Sequence, residues 1–146
     1  MSYAENSRAR FDYEILEKMS AGIVLAGYEV KAIKAGKCSI RGAYVKILQN
    51  EAWLVGAQVS PYQPNNVPLT YDPQRTRKLL VKKNELKYLL GKSQEKGLTL
   101  VPLNLVGEHG LVKLEFAIAR GKKNYDKRAT TAARETKRKV QRALKG

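Results

Sequence analysis

The sequence feature that most constrains the fold is a pair of alternating segments, residues 98–106 and 111–119. In the second segment apolar and charged side chains alternate, which is the period of a half-buried β-strand. Residues 107–110 supply glycines for a turn, so the two segments predict a β-hairpin. Pro102 cannot donate a ladder hydrogen bond, and its position predicts an edge or a bulge in the first strand.

Shorter elements precede this hairpin. Strand-like segments cover residues 11–15, 21–26, 43–48, 52–59 and 79–81, and helical segments cover residues 28–35 and 84–94. We expect the polar residues 1–10 to lack fixed structure as far as Asn6 or Arg8. Many short strands with few helices predict a mainly β protein. The specific expectation is an OB-like antiparallel β-barrel of about six strands, with two or three short helices and a basic C-terminal tail.

The predicted domains are the barrel, residues 1–119, and the tail, residues 120–146. The tail holds eleven of the 28 Lys and Arg but two of the 13 Asp and Glu, so it carries +9 of the net charge of +15. Its few apolar side chains fit one narrow helix face, around which Arg134, Arg138 and Arg142 repel one another. We expect the tail to be disordered when free and helical against a polyanion. A solvated tail that adds only solubility or loose RNA affinity is the alternative.

The charge of the whole chain favours nucleic acid as its partner, because each neutralised phosphate releases condensed counterions. Membrane binding is not expected. No apolar run approaches the roughly 20 residues of a transmembrane helix, and the N-terminal residues do not resemble a signal sequence. Cys38 is the single cysteine, so no internal disulfide forms, which fits a reducing cytoplasm.

Residue types that carry catalysis are scarce. His109, the single histidine, lies in a glycine-bracketed turn without oriented partners. Cys38 has no second thiol or imidazole with metal-ligand spacing. The Gly-Lys pairs at residues 36–37 and 91–92 lack the spacing of a phosphate-binding loop. We therefore expect no enzyme activity, no cofactor and no metal site.

Cations and amides supply the candidate RNA contacts. Guanidinium groups bind phosphate through a fork of donors, and three cations lie within four residues at Arg75, Arg77 and Lys78. A strand edge protected by solvated charge is the alternative interpretation of that run. The N-terminal segment offers further donors from Asn6, Arg8 and Arg10. After the last strand come a predicted hinge, two cations and an aromatic ring suited to stacking, at Gly121, Lys122, Lys123 and Tyr125.

Several short motifs, in this order, resemble the SsrA-binding protein family (small protein B), the bacterial partner of transfer-messenger RNA (tmRNA). They are Asn6-Ser7-Arg8-Ala9, Ala21-Gly22-Ile23, Gly27-Tyr28-Glu29-Val30-Lys31, Arg75-Thr76-Arg77-Lys78-Leu79-Leu80, Gly121-Lys122-Lys123 and Asp126-Lys127-Arg128. The resemblance covers nearly the whole chain from Asn6 onward. It implies a barrel that binds the tRNA-like domain of tmRNA and enters stalled ribosomes, with the tail in the vacant mRNA channel near the decoding centre.

The resemblance also implies functional positions. Asn6 and Leu80 belong to the implied RNA-binding set, beside the basic neighbours named above. Ser20 stands where the family usually carries a Glu of its RNA-binding surface, and a hydroxyl lacks the charge of that carboxylate. The implied ribosome-binding set in the tail is Gly121, Lys122, Lys123, Asp126, Lys127 and Arg128, with Tyr125 where some relatives carry His.

These observations together predict a cytoplasmic, non-enzymatic adaptor for ribosome rescue. Its expected partners are tmRNA and the small ribosomal subunit, and it is expected to be monomeric when free. A structural ribosomal protein with an OB core and a basic extension is the first alternative. An RNA-modifying or RNA-cleaving enzyme is the second, and the missing acid/base pair argues against it.

Overall fold

Antiparallel strand pairing organises the chain. The computed structural model describes residues 2–63, 65 and 67–122, and these residues contain nine strands and three helices. The strands are β1 (Ser2–Glu5), β2 (Tyr13–Ile23), β3 (Cys38–Ser39), β4 (Tyr44–Leu48), β5 (Glu51–Val55), β6 (Gln58–Val59), β7 (Arg77–Leu80), β8 (Leu98–Glu108) and β9 (Leu111–Gly121). The helices are α1 (Ala9–Asp12), α2 (Gly27–Lys34) and α3 (Lys83–Ser93).

Seven strands form one sheet in the order β1-β8-β9-β2-β7-β5-β4, and β3 pairs with β6. The predicted hairpins β4–β5 and β8–β9 are confirmed, and a register shift between Pro102 and Asn104 is the predicted bulge. The sheet curls until β4 approaches β8, but no ladder joins these two strands in the described residues. The mainly β, antiparallel prediction is therefore confirmed, with more strands than expected and a barrel that stays open.

Two predictions for the N-terminal third are wrong. Of the segments predicted as separate strands at residues 11–15 and 21–26, residues 11–12 belong to α1 and residues 13–15 and 21–23 to one long strand, β2, while residues 24–26 connect β2 to α2. β2 pairs with β9 along most of its length. The first residues form β1 on the edge of β8 and are not without structure. Tyr3 of β1 lies against Gly107, where an added Cβ would be 2.6 Å from the Tyr3 hydroxyl oxygen. A larger residue at position 107 would require the Tyr3 ring to move.

The core has two parts, one on each face of the sheet. The larger lies between the concave face and the two longer helices, and its fully buried side chains include Ile33, Leu54, Leu89, Leu105 and Phe116. The smaller lies under α1 and consists of Ala9, Val101, Leu103, Ala117 and Ala119. Small alanine side chains on the outer face of β9 leave room for α1 to pack closely. As a result β9 is buried on both faces near its end, and α1 is fixed beside it.

Candidate nucleic-acid interface

A buried cluster of charged side chains lies beneath the strand that carries the predicted RNA contacts. Arg77 in β7 and Glu29 in α2 are both 0% exposed. Arg77 Nε donates to Glu29 Oε2 at 2.8 Å. The other guanidinium N–H groups donate to the hydroxyl of Tyr71 and to the carbonyl oxygens of Ala57, Pro73 and Arg75. Every donor of this guanidinium group is paired, which is what a buried charge requires.

Glu29 is the shared acceptor of the cluster. Arg75 Nε donates to Oε2 at 3.1 Å, Arg75 Nη2 contacts Oε1, and the Ala26 backbone N–H donates to Oε1 at 3.0 Å. Burial alone would raise the pKa of Glu29. The hydrogen bonds from Arg75, Ala26 and Arg77, with the charge of Arg77, outweigh burial and hold that pKa below its ordinary value. Glu29 is therefore ionised at neutral pH, and it ties α2 to the segment that precedes β7.

The structure separates the three cations that the sequence grouped together. Successive side chains of a strand point to opposite faces, so Arg77 enters the interior and Lys78 points outward. The predicted contact between Arg77 and phosphate is therefore corrected: this side chain is 1% exposed, and its donors are used inside the protein. Arg75 keeps 36% of its side chain exposed while it is held by Glu29.

The outward face of β7 lines a groove of about 660 Å³, which we call the basic groove. Its charged lining consists of Lys78, Lys82, Lys83 and Lys113 with Glu51 and Glu85. Lys78 Nζ lies 3.2 Å from Glu51 Oε1, and Glu85 Oε1 accepts the backbone N–H of Lys82 at 3.0 Å. Lys113 Nζ also lies 3.5 Å from Glu108 Oε2, so four ammonium groups face three carboxylates. The remaining net charge is positive, so the groove attracts phosphate.

Ser20 and Leu80, two positions singled out by the resemblance, line this same groove. The antiparallel pairing of Gly22 with Leu80 brings β2 beside β7. Ser20 is exposed because its neighbour Ala21 points into the core, and Leu80 is 55% exposed at the end of β7. The groove thus combines a hydroxyl, an apolar side chain and four cations. Such a surface can bind an RNA backbone together with an adjacent sugar or base.

The N-terminal candidates Asn6 and Arg8 lie elsewhere, beside β8. Asn6 Nδ2 donates to the carbonyl oxygen of Pro102 at 3.1 Å, so this amide helps to fix the segment before α1. The Arg8 guanidinium lies 4.4 Å from the centre of the Phe11 ring and 3.6 Å from an Asp12 carboxylate oxygen. Both residues line a second cavity and not the basic groove.

The last described residues show how the chain leaves the sheet. Gly121, predicted as a hinge, pairs with Tyr13 as the final residue of β9. Lys122 donates its backbone N–H to the Asp12 carbonyl at 2.9 Å and its Nζ to the Arg10 carbonyl at 2.8 Å. Carbonyl groups at a helix end lack intrahelical partners, so α1 supplies both acceptors. The predicted tail residues Lys123, Tyr125, Asp126, Lys127, Arg128, Arg134, Arg138 and Arg142 lie outside the described residues.

Comparison with known proteins identifies the family. The family model described as SmpB protein matches residues 3–146. The chain belongs to the SmpB family. The SsrA-binding protein of Thermosynechococcus vestitus is 48% identical over 97% of this chain and 93% of that protein. The SsrA-binding protein of Cupriavidus necator is 49% identical over 100% of this chain and 97% of that protein.

A solved structure also resembles this SmpB-family chain. The structure is described as "tmRNA-SmpB: a journey to the center of the bacterial ribosome". Its matching chain is 47% identical, with a TM-score of 0.67 over 82% of this chain and 84% of that one. The predicted membership of the family, and the fold that it implies, are therefore confirmed. No helix in the part of the SmpB-family chain that the structure describes is long and apolar enough to cross a membrane.

Sequence reasoning missed several residues of this SmpB-family site. The most important is Glu29, whose place in a motif did not reveal that it neutralises a buried cation far along the chain. The groove cations Lys82, Lys83 and Lys113 were also missed. Lys113 carried a usable signal, since it alternates with buried residues of β9 and must point outward. Lys82 and Lys83 lie at the start of α3, and this lysine pair also indicated a basic surface there.

Proposed function

We propose that this SmpB-family chain is a non-enzymatic RNA-binding adaptor that carries tmRNA to stalled ribosomes for trans-translation. It binds the tRNA-like domain of tmRNA and acts with the small ribosomal subunit in the cytoplasm. The names of the relatives support this function, because SsrA is the RNA that they are named for binding. The matching solved chain, described with tmRNA and the bacterial ribosome, supports both partners.

The basic groove is the observation that carries the proposal for this chain. It brings Ser20 and Leu80, from two strands that are distant in sequence and paired in the sheet, to one surface with four lysines. Lysines bind the phosphates and set the position of the RNA, while the side chains between them contact sugars and bases. Selectivity for tmRNA over bulk tRNA then resides in the folded domain and not in the tail.

The tail has a separate role in this proposal. Residues 120–146 carry +9, and they enter the vacant mRNA channel, where ribosomal RNA surrounds them with phosphate. Lys123, Tyr125, Asp126, Lys127 and Arg128 contact the decoding centre, followed by Arg134, Arg138 and Arg142 in the channel. Lys122 stays bound to the carbonyl groups of α1 and fixes the direction in which the tail leaves.

Deletion of residues 124–146 tests this division. The truncated chain should keep its melting temperature and its preference for tmRNA, because residues 124–146 offer only Val140 and Leu144 as sizeable aliphatic side chains for a core. It should lose trans-translation on stalled ribosomes. Thermal unfolding, RNA binding and peptide tagging are measured on the same protein. Normal tagging by the truncated chain would exclude the proposed role of the tail, and loss of RNA selectivity would exclude the proposed role of the groove.

Sequencing the RNA that co-purifies with the tagged full chain separates the adaptor from a structural ribosomal protein. An adaptor yields tmRNA in large excess over its share of cellular RNA, and it is enriched on stalled ribosomes. A structural ribosomal protein yields ribosomal RNA and is present in every ribosome. Recovery of ribosomal RNA alone, with the protein at unit stoichiometry, would overturn the proposal.

A further inference from the structure

The open side of the curled sheet holds a second cavity. β1 covers β8 from Asn104 to Val106, so residues 99–101 have no strand partner on that side in the described chain. β4 approaches this part of β8 without a ladder between the two strands in those residues. The resulting cleft of about 540 Å³, which we call the seam cleft, is bounded by residues 99–101, residues 41–44 and the segment from Asn6 to Tyr13. It shares no lining residue with the basic groove.

Two exposed side chains of the seam cleft, Arg41 and Tyr44, have no side-chain hydrogen bond, ion pair or ring contact with another described residue. Tyr44 is 48% exposed at the start of β4, and it points outward because Val45 packs in the core. Arg41 lies on a turn that Gly42 closes with a φ of 78°, a conformation that favours glycine. The turn therefore holds a guanidinium group and a phenol ring at the mouth of one cleft.

The opposite wall supplies a second guanidinium group whose position is fixed. Arg8 stacks on the Phe11 ring at 4.4 Å and pairs with Asp12 at 3.6 Å, while 56% of its side chain stays exposed. Asp12 is the one carboxylate that lines the cleft, against the two guanidinium groups of Arg8 and Arg41. The cleft thus has a cationic rim and an aromatic side chain between its walls.

We propose that the seam cleft binds a single unpaired nucleotide of the RNA partner. The base stacks on the Tyr44 ring, and its phosphate lies between Arg8 and Arg41. The site rests on the proposed function, since that function makes RNA the ligand, and it adds a contact separate from the basic groove. A volume of about 540 Å³ lies in the range of roughly 300–1,000 Å³ that small-molecule pockets occupy.

An unpaired nucleotide suits this cleft better than a duplex or a protein strand. Bases inside an A-form helix are stacked on one another and cannot present a face to a single tyrosine, whereas loop nucleotides can. A protein strand added to the free edge of β4 would be recognised through backbone hydrogen bonds and would not require two guanidinium groups. The pairing of cations with an aromatic ring is the chemistry of single-stranded RNA recognition.

The test compares two RNAs on full-length protein: a tRNA-like hairpin with unpaired loop nucleotides, and a blunt duplex of equal phosphate count. Tyr44→Ala should weaken binding of the looped RNA roughly 5- to 100-fold, the range expected for one stacked base, and leave duplex binding unchanged. Tyr44→Trp should restore or exceed wild-type affinity. Arg41→Ala should make the salt dependence on the looped RNA shallower by about 0.7 in log–log slope. Photocrosslinking from 4-thiouridine in the loop should label the peptide that contains Tyr44.

Tyr62→Ala is the matched control, because this ring is 45% exposed and lines neither the basic groove nor the seam cleft. It should bind both RNAs like the wild type. Equal losses on both RNAs for Tyr44→Ala, or wild-type binding with no crosslink at the cleft, would overturn the nucleotide site while leaving the adaptor function in place. A wild-type protein that does not prefer tmRNA to bulk tRNA would instead overturn the proposed function itself.

Discussion

Arg77 and Lys78 are neighbours in β7, yet their ion pairs lie in opposite environments. The side chains of Arg77 and Glu29 are 1% and 0% exposed, whereas those of Lys78 and Glu51 are 43% and 41% exposed. Arg77 pairs every guanidinium donor inside the protein, and Lys78 makes one ionic contact on the wall of the basic groove. Alternation along one strand points the two side chains to opposite faces, and the carboxylate of Glu29 allows the inward guanidinium to stay buried.

The comparison teaches that a run of cations in a sequence is not itself a binding surface. Breaking a buried pair leaves the partner charge uncompensated in a medium of low dielectric, which is costly. An exposed pair is screened by water and salt, and its Coulomb energy is offset by the entropy of ordering two long side chains. One cation of the run therefore stabilises the loop and helix beneath the strand, and the next can exchange its carboxylate for a phosphate.

Loss of the Glu29 charge should have the largest effect. Glu29→Gln keeps the size of the side chain but leaves the buried Arg77 cation uncompensated. We expect the free energy of unfolding to fall by about 3–5 kcal/mol. That is a large part of the roughly 5–15 kcal/mol of a typical domain. Urea denaturation followed by circular dichroism measures the change.

Glu51→Gln is the matched control on the exposed pair, and it should change the free energy of unfolding by no more than about 1 kcal/mol. Equal costs for the two substitutions would contradict the comparison, because burial would then not distinguish the two ion pairs. A small cost for both would mean that water enters the Arg77 cluster and replaces the lost carboxylate.

The second largest effect should come from acid, which weakens the buried ion pair of Glu29 and Arg77 by protonating the carboxylate. The folded-state pKa of Glu29 lies below its unfolded value of about 4.3, since the hydrogen bonds and charge of the arginines outweigh burial. The contribution of Glu29 to stability is then fully present above about pH 4.3 and is lost as the pH falls through the lower folded pKa. In urea titrations from about pH 7 to about pH 3, Glu29→Gln should therefore lose less stability than the wild type. If the wild type and Glu29→Gln lost the same stability as the pH falls, other carboxylates would be the cause of acid unfolding.

The elements that sequence predicted well depend on local patterns. The β8–β9 hairpin follows from alternation in β9, where Leu114 and Phe116 point inward and Lys113 and Glu115 are less buried. The β4–β5 hairpin and helices α2 and α3 follow from spacing and turn residues in the same way. Local periodicity is sufficient for these elements because their own side chains define the buried face.

The elements that sequence missed depend on contacts between distant residues. Arg77 is buried because Glu29, 48 residues earlier, supplies a carboxylate, and no local pattern reports such a partner. The polar segment of β1 is ordered because Tyr3 packs on Gly107 across the β1–β8 pairing. The seam cleft exists because the sheet curls without closing, which depends on the register of all its strands. These features depend on tertiary contacts, which local sequence patterns do not contain.

Substitution of Lys78, the exposed cation of β7, should change RNA binding and not the stability of the fold. Lys78→Ala should change the free energy of unfolding by less than about 1 kcal/mol. Loss of one phosphate contact should make the log–log salt dependence of RNA binding shallower by about 0.7–0.9. Lys87→Ala is the control, since Lys87 is an exposed lysine of α3 that does not line the basic groove. Identical slopes for both variants would show that RNA does not reach Lys78.

Ser20→Glu should have the smallest effect. It tests whether RNA binds the basic groove in the way that the usual Glu of the family at this position implies. Ser20 lies in register with Glu115 on β9, whose carboxylate accepts a hydrogen bond from Asn104 Nδ2 at 3.1 Å. Like charges opposite each other in an antiparallel pair cost about 0.2–1 kcal/mol, so the melting temperature should fall slightly. A carboxylate makes stronger hydrogen bonds than a hydroxyl, about 1.5–3 against about 1 kcal/mol, so RNA affinity should be unchanged or higher.

Ser20→Gln separates charge from size in this last experiment, because it adds a side chain of equal length without the repulsion from Glu115. Binding of tmRNA is measured for both variants at one salt concentration, since the lysines of the basic groove make affinity depend on salt. If Glu weakens binding more than about tenfold and Gln does not, the carboxylate faces a phosphate in this chain. The RNA would then follow a path over β2 and β7 that differs from the one the family resemblance implies, although Lys78 would still define its cationic side.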